Sequence, residues 1–86
     1  MSTMDFQRIV KAALYSVAPD LEGEPVDPEL PFNQQFEFDS MDFLNFVIGL
    51  SRATGLALPE KDYRYLTTLA SAVAYLDEKR ATLKPE

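Results

Sequence analysis

Apolar side chains at Met4, Phe6, Ile9, Val10, Ala13, Leu14 and Val17 recur at steps of three and four, with Arg8 and Lys11 off that stripe. This period predicts an amphipathic helix over roughly residues 3 to 17. Ser2 or Thr3 would cap it, and Pro19 would end it, because the residue before a proline avoids helical geometry. The helical period is then lost from residue 19 to 38, where Pro19, Pro25, Pro28 and Pro31 fall. Leu21, Val26, Leu30, Phe32, Phe36 and Phe38 give this long connection apolar anchors, so it is expected to pack against the domain.

A second helix is predicted from about Ser40 to Thr54, stopping at Gly55, a residue suited to the position just past a helix end. On a helical wheel Asp42, Asn45, Gly49 and Arg52 share one narrow polar stripe. Leu44, Val47, Phe43 and Leu50 centre a wide apolar arc, with Met41 and Phe46 at its opposite borders. An arc this wide exceeds what one core face needs, so the helix is either central, or partly reserved for a partner, or both. Pro59 suits the entry to a short helix over residues 60 to 65. Thr67 and Thr68 signal the start of a last helix, with Leu69, Ala72, Val73 and Leu76 as its buried face and an end near residues 79 to 82. Basic residues gather at that end, as the helix dipole prefers. The expected fold class is all-α: a bundle of three longer helices and one short third helix, with a long loop after the first.

Length and charge narrow what such a bundle can do. The 86 residues make one expected domain, residues 1 to 86, near the lower limit for a core without staples. There is no cysteine and no histidine, so neither a disulfide framework nor thiolate chemistry belongs to the bare chain. No signal-like or membrane-length apolar run is present, which points to a cytoplasmic protein without membrane insertion. The net charge is −6, and its placement is uneven. Between Ala12 and Ser51 there is no Lys or Arg, while Asp20, Glu22, Glu24, Asp27, Glu29, Glu37, Asp39 and Asp42 all fall there. Such a surface repels nucleic acid and attracts basic protein surfaces. A calcium loop starting at Asp20 fails, because its template puts Pro25 where glycine is needed and Pro31 where the bidentate glutamate belongs.

The most informative stretch is Asp39-Ser40-Met41-Asp42, at the mouth of the second helix. On the residues alone two readings stay open. The short polar side chains can serve as a plain N-terminal cap. Alternatively, Ser40 offers an exposed hydroxyl that another enzyme esterifies with phosphate, and the helix N-terminus stabilises the added charge. An autonomous enzyme is disfavoured, since exposed carboxylates are poor bases for a hydroxyl near neutral pH.

In this register the chain resembles the acyl carrier protein family over about residues 3 to 78, most clearly from Phe36 to Leu76. Asp39-Ser40-Met41-Asp42 stands where that family carries Asp-Ser-Leu-Asp, and Leu44, Val47, Ile48 and Leu50 follow in register. Leu58-Pro59-Glu60 resembles the family's Ile-Pro-Asp. Leu66-Thr67-Thr68-Leu69, Ala72-Val73 and Tyr75-Leu76 continue the match. The resemblance implies a 4′-phosphopantetheine arm, donated by coenzyme A and attached to Ser40 by a phosphopantetheinyl transferase. It implies cargo held as a thioester for a fatty-acid, polyketide or other specialised pathway. Asp39 would cap the helix and present Ser40. Met41, Asp42, Phe46 and Glu37 would meet partners: acyl-loading ligases or synthases with basic docking surfaces, served by a monomer.

Departures from the family pattern bear on the partner. Asn45, Ser51, Arg52 and Ala53 replace acids common in the second helix, and Glu37 replaces a usual glycine. A carrier dedicated to one pathway fits these better than one serving general fatty-acid synthesis. If Phe43 and Phe46 fill the space between the second and third helices, long acyl chains have little room inside. The rival reading is an unmodified helical protein-interaction module with a carrier-like fold.

Overall fold

The computed structural model describes residues 5–83. Helix α1 spans Phe6–Val17 and starts later than the apolar period suggests. Asp5, not Ser2 or Thr3, is the cap: its Oδ1 accepts the Arg8 N–H at 3.2 Å. Ser2, Thr3 and Met4 lie outside the described residues. Phe6, Val10, Ala13 and Leu14 form the buried face. At the other end the Ala18 N–H still reaches Leu14 O, and Pro19–Leu21 adds a single 3₁₀ turn.

The connection that follows packs, as its apolar anchors require, and it contains a one-turn helix that periodicity did not reveal: α2, Phe32–Gln35. Four residues are too few to show a helical period. Gln35 organises the loop before it. Its Nε2 donates to Leu30 O at 2.7 Å and to Asp27 O at 2.9 Å, while its Oε1 accepts the Asp27 N–H at 2.9 Å. Two backbone bonds then stitch this loop to the distant end of the chain: Phe32 N–H to Thr67 O at 2.9 Å and Ala70 N–H to Pro28 O at 3.0 Å. Backbone groups of a packed loop need such partners, because an orphaned one costs as much as a lost hydrogen bond.

Helix α3 runs Ser40–Thr54 and ends where expected, with Gly55 at φ 72°. That left-handed conformation suits glycine, which has no Cβ to clash. The polar stripe of α3 is only partly solvent-facing. Gly49 is turned toward α1, where an added Cβ would sit 3.7 Å from the Ala13 Cβ, so it marks a close helix crossing. Pro59 precedes a 3₁₀ segment, Glu60–Leu66, in place of a short α-helix. Helix α4 is Leu69–Leu83, and its start is built as the two threonines suggest: Thr68 Oγ1 accepts the Ser71 N–H at 3.1 Å.

Helix α1 packs on both α3 and α4, and the 3₁₀ segment on α4. One core cluster joins Phe6, Val10 and Leu14 to Phe46, Val47, Leu50, Leu66, Leu69, Ala72 and Leu76, with Phe32 and Phe38 closing it from the loop. The architecture is all-helical, with three longer helices and a short third helical segment. Among the described residues no helix is long and apolar enough to cross a membrane.

Candidate functional site

Residues 36 to 42 turn the chain from loop into helix, and the burial pattern explains how. Phe38 is buried against Phe32 and Phe46, with ring centroids 5.8 and 6.0 Å away. That anchor leaves Glu37 and Asp39 exposed on either side of it, as extended backbone alternates its side chains. Asp39 then caps α3. Its Oδ1 accepts the Asp42 N–H at 2.9 Å, and the Asp42 Oδ2 accepts the Asp39 N–H at 3.3 Å. This reciprocal pair, a capping box, uses both carboxylates on the backbone. The Asp39 carbonyl takes the Phe43 N–H at 2.9 Å.

Ser40 is the first residue of α3 and is exposed. Among the described residues no group hydrogen-bonds to its Oγ. The first-turn N–H groups of Ser40 and Met41 have no intrahelical acceptor by construction, and the dipole of a 15-residue helix points its positive end at them. The cap is therefore Asp39, and the Ser40 hydroxyl is left over. Chemically this is a nucleophilic oxygen presented to solvent, beside donors suited to a phosphate ester. Among the described residues no side chain is hydrogen-bonded to it that could take its proton.

The remaining candidate residues divide. Met41 is 66 % exposed and Glu37 is exposed, so both stand where a partner could touch them. Asp42 is half-buried and committed first to the cap. Phe46 corrects the expectation that it borders a partner-facing surface. It is 0 % exposed, and its ring meets Phe32 edge-on at 5.3 Å. The large ring is better buried than solvated, and Phe32 and Phe38 pack against it edge-on. Leu44, at the centre of the wide apolar arc, is 42 % exposed, and Ile48 is 44 % exposed, so part of that arc does face solvent. With Met41 they line one outer strip of α3, running away from Ser40. The wheel held the signal, because residues 41, 44 and 48 share one sector, but an all-apolar arc does not say which half meets the core.

A cleft of about 260 Å³ opens at Ser40. Its walls are Phe32, Phe38 and Phe43, and its rim is Asn33, Asp39 and Thr67. Phe43 is steadied from behind by Tyr63, 5.5 Å away and edge-on. Asn33 and Thr67 come from α2 and from the turn before α4, and nothing in the local sequence around Ser40 marks them.

A family model described as "Phosphopantetheine attachment site" matches residues 8–76. A protein named "Acyl carrier protein", from Rubrobacter xylanophilus, is similar to this chain at 34 % identity over 58 residues, which is 67 % of this chain and 72 % of that protein. No solved structure matches the chain.

Proposed function

Because this chain belongs to the acyl carrier protein family, whose cofactor is covalently bound 4′-phosphopantetheine, we propose that Ser40 is the attachment residue and that the arm it bears ferries one acyl cargo between partner enzymes. The single observation carrying this is the division of labour at the helix mouth. Asp39 and Asp42 satisfy the backbone, and Ser40 Oγ is exposed without an intrachain partner. The residues fit the group: a solvent-facing oxygen for the ester, helix N–H donors near the phosphate, and carboxylates already engaged with backbone rather than facing it. When bound, the arm supplies the thiol that this cysteine-free chain lacks, and with it a thioester.

Attachment is a phosphoryl-type transfer with coenzyme A as donor. Ser40 Oγ forms a bond to the pantetheine-side phosphorus, the pyrophosphate bond breaks, and adenosine 3′,5′-bisphosphate leaves. The transferase takes the hydroxyl proton, since this site has no base. Carriers of this family are not enzymes, and the chain's own task is presentation.

The partner surface we infer is the outer strip of α3, Met41, Leu44 and Ile48, with the exposed carboxylate of Glu37 preceding it in the chain. Its apolar centre and acidic margin fit a transferase, ligase or synthase with an apolar pocket ringed by Lys or Arg. The absence of acids between Asp42 and Glu60 weights recognition toward the helix mouth and loop, which supports a carrier dedicated to one pathway. Incubation with coenzyme A, magnesium and a broad-specificity transferase tests the core claim by intact mass. The wild type gains the arm and Ser40→Ala does not. A wild type that stays bare overturns the reading.

A further inference from the structure

The exposed residues of α3 fall almost entirely on one face. After Ser40 they are Met41, Leu44, Asn45, Ile48, Arg52 and Ala53. At about 100° a residue, all but Ala53 lie within a sector of roughly 100°. Met41, Leu44 and Ile48 make its apolar part, and Arg52 is the next rung after Ile48. It is also the only charged side chain from Phe43 to Pro59. The other end of the face is anionic, with Glu37 and Asp39 exposed just before Ser40. The face thus carries a negative sign at the helix mouth and a positive one about 18 Å along the axis, at a rise of about 1.5 Å per residue.

The surroundings of Arg52 set it apart from two other cations of the fold. Arg64 lies over the Tyr65 ring at 5.9 Å, and Lys79 over the Tyr75 ring at 5.7 Å. Those rings stack on each other with centroids 5.7 Å apart, so both charges belong to a ladder between the 3₁₀ segment and α4. Arg52 makes no ion pair and no ring contact among the described residues. A cation in the last turn does suit the helix dipole. That role fixes the turn but not the face: position 53, exposed in the same turn and off the sector, would serve the dipole as well.

We propose that α3 carries a bipolar docking face, on which Arg52 favours a partner enzyme with a carboxylate opposite it and rejects one whose docking surface is basic throughout. The inference rests on the outer strip being the partner surface and Ser40 the attachment residue. Specificity is a difference of affinities, and an unmatched charge in a contact lowers the wrong one. A Lys or Arg set against Arg52 repels it, whereas an Asp or Glu there pairs with it. The ~18 Å from Ser40 is more than twice the Debye length of about 8 Å at physiological salt, so this charge has little direct effect on chemistry at Oγ. It acts through a partner wide enough to cover the strip. The signature is therefore in association, read as KM and kcat/KM, with kcat unmoved.

The test measures loading of the full chain from coenzyme A by a broad-specificity transferase whose docking groove is lined with Lys and Arg. Wild type, Arg52→Gln and Arg52→Glu are compared at low and at high salt. At low salt kcat/KM should rise in that order, roughly fivefold from wild type to Arg52→Glu. At high salt the three should converge. Reversing the groove lysines and arginines to glutamate one at a time should turn up a position at which wild type becomes the better substrate. Arg52→Glu opposes the helix dipole and should lower the melting temperature slightly, so a merely structural Arg52 would give equal or slower loading. Equal kcat/KM across three loaded chains, or no groove position that inverts the order, overturns the bipolar face and leaves Ser40 as the attachment point. A chain that is never loaded overturns the attachment reading, and this inference with it.

Discussion

The two sides of α3 carry similar side chains and do opposite things. On one side Phe46, Val47 and Leu50 are buried among α1, the loop and the rest of the core. On the other Met41, Leu44 and Ile48 are left in solvent. Burial of a large apolar side chain contributes about 1.5–3 kcal/mol, so the inner side is part of what holds the bundle together. The outer side forgoes that gain. Three apolar residues kept out of a small core, on the helix that Ser40 begins, add nothing to folding and support the partner surface proposed above. The difference teaches that hydrophobicity alone does not separate stability from recognition. Position relative to Ser40 and to the neighbouring elements does.

Removing Phe46 should have the largest effect on this contrast. Phe46→Ala deletes a fully buried ring that touches Phe32, Phe38 and Phe43. A loss of about 3–5 kcal/mol is expected, read by urea unfolding. A loss below about 1 kcal/mol would mean the inner side is not the core.

The outer side should respond in the opposite sense. Leu44→Ser with Ile48→Ser should leave the unfolding free energy within about 0.5 kcal/mol of wild type. The same variant should slow loading of Ser40 by a transferase roughly tenfold, equivalent to about 1.4 kcal/mol of binding. Unchanged loading kinetics would remove the strip from the partner surface for that enzyme.

A smaller effect is expected where the inner side is braced. Tyr63 backs Phe43, and its neighbour Asp62 is clasped from α4 by the Tyr75 hydroxyl, 2.7 Å away. Burial first, and then the hydrogen bond to Asp62 and its charge, push the Tyr75 phenol above its ordinary value. Tyr75→Phe should cost about 1 kcal/mol at neutral pH. The folded state holds the phenolic proton more tightly than the unfolded chain does. The benefit is therefore complete below about pH 10 and is lost as pH rises through the raised folded value. The gap between wild type and variant should stay constant from neutral to about pH 10 and narrow above it. A gap that widens in alkali would contradict this account.

The smallest effect concerns cargo. Phe43, held between Phe46 and Tyr63, occupies the space between α3 and the 3₁₀ segment. Lengthening the acyl chain on the loaded protein should therefore leave its melting temperature nearly unchanged, within the shift that about 0.5 kcal/mol produces. Marked stabilisation by a long chain would show that the rings part to admit it.

Much of this was legible in the residues. The apolar period located α1, α3 and α4, Gly55 and Pro59 marked their neighbours, and Asp39-Ser40-Met41-Asp42 identified the mouth of α3. What failed to show had physical causes. The one-turn α2 is shorter than any period, and the cap of α1 moved to Asp5 because several polar residues precede Phe6 and any of them could bind the first N–H groups. The loop latch at Gln35 joins residues by side-chain bonds that carry no periodic signal. Asn33 and Thr67 reach the edge of Ser40 only because Phe32 N–H bonds to Thr67 O across the fold.

The sequence by itself determined a helical bundle, its acidic sector and a serine set at a helix start, since these follow from local spacing, capping and charge. Only the tertiary structure decided which half of α3 is core. Side-chain direction along a helix is local, but burial depends on which elements arrive against it. Here α1 packs along α3, Phe32 and Phe38 close on Phe46, Tyr63 of the 3₁₀ segment meets Phe43, and Met41, Leu44 and Ile48 are left uncovered.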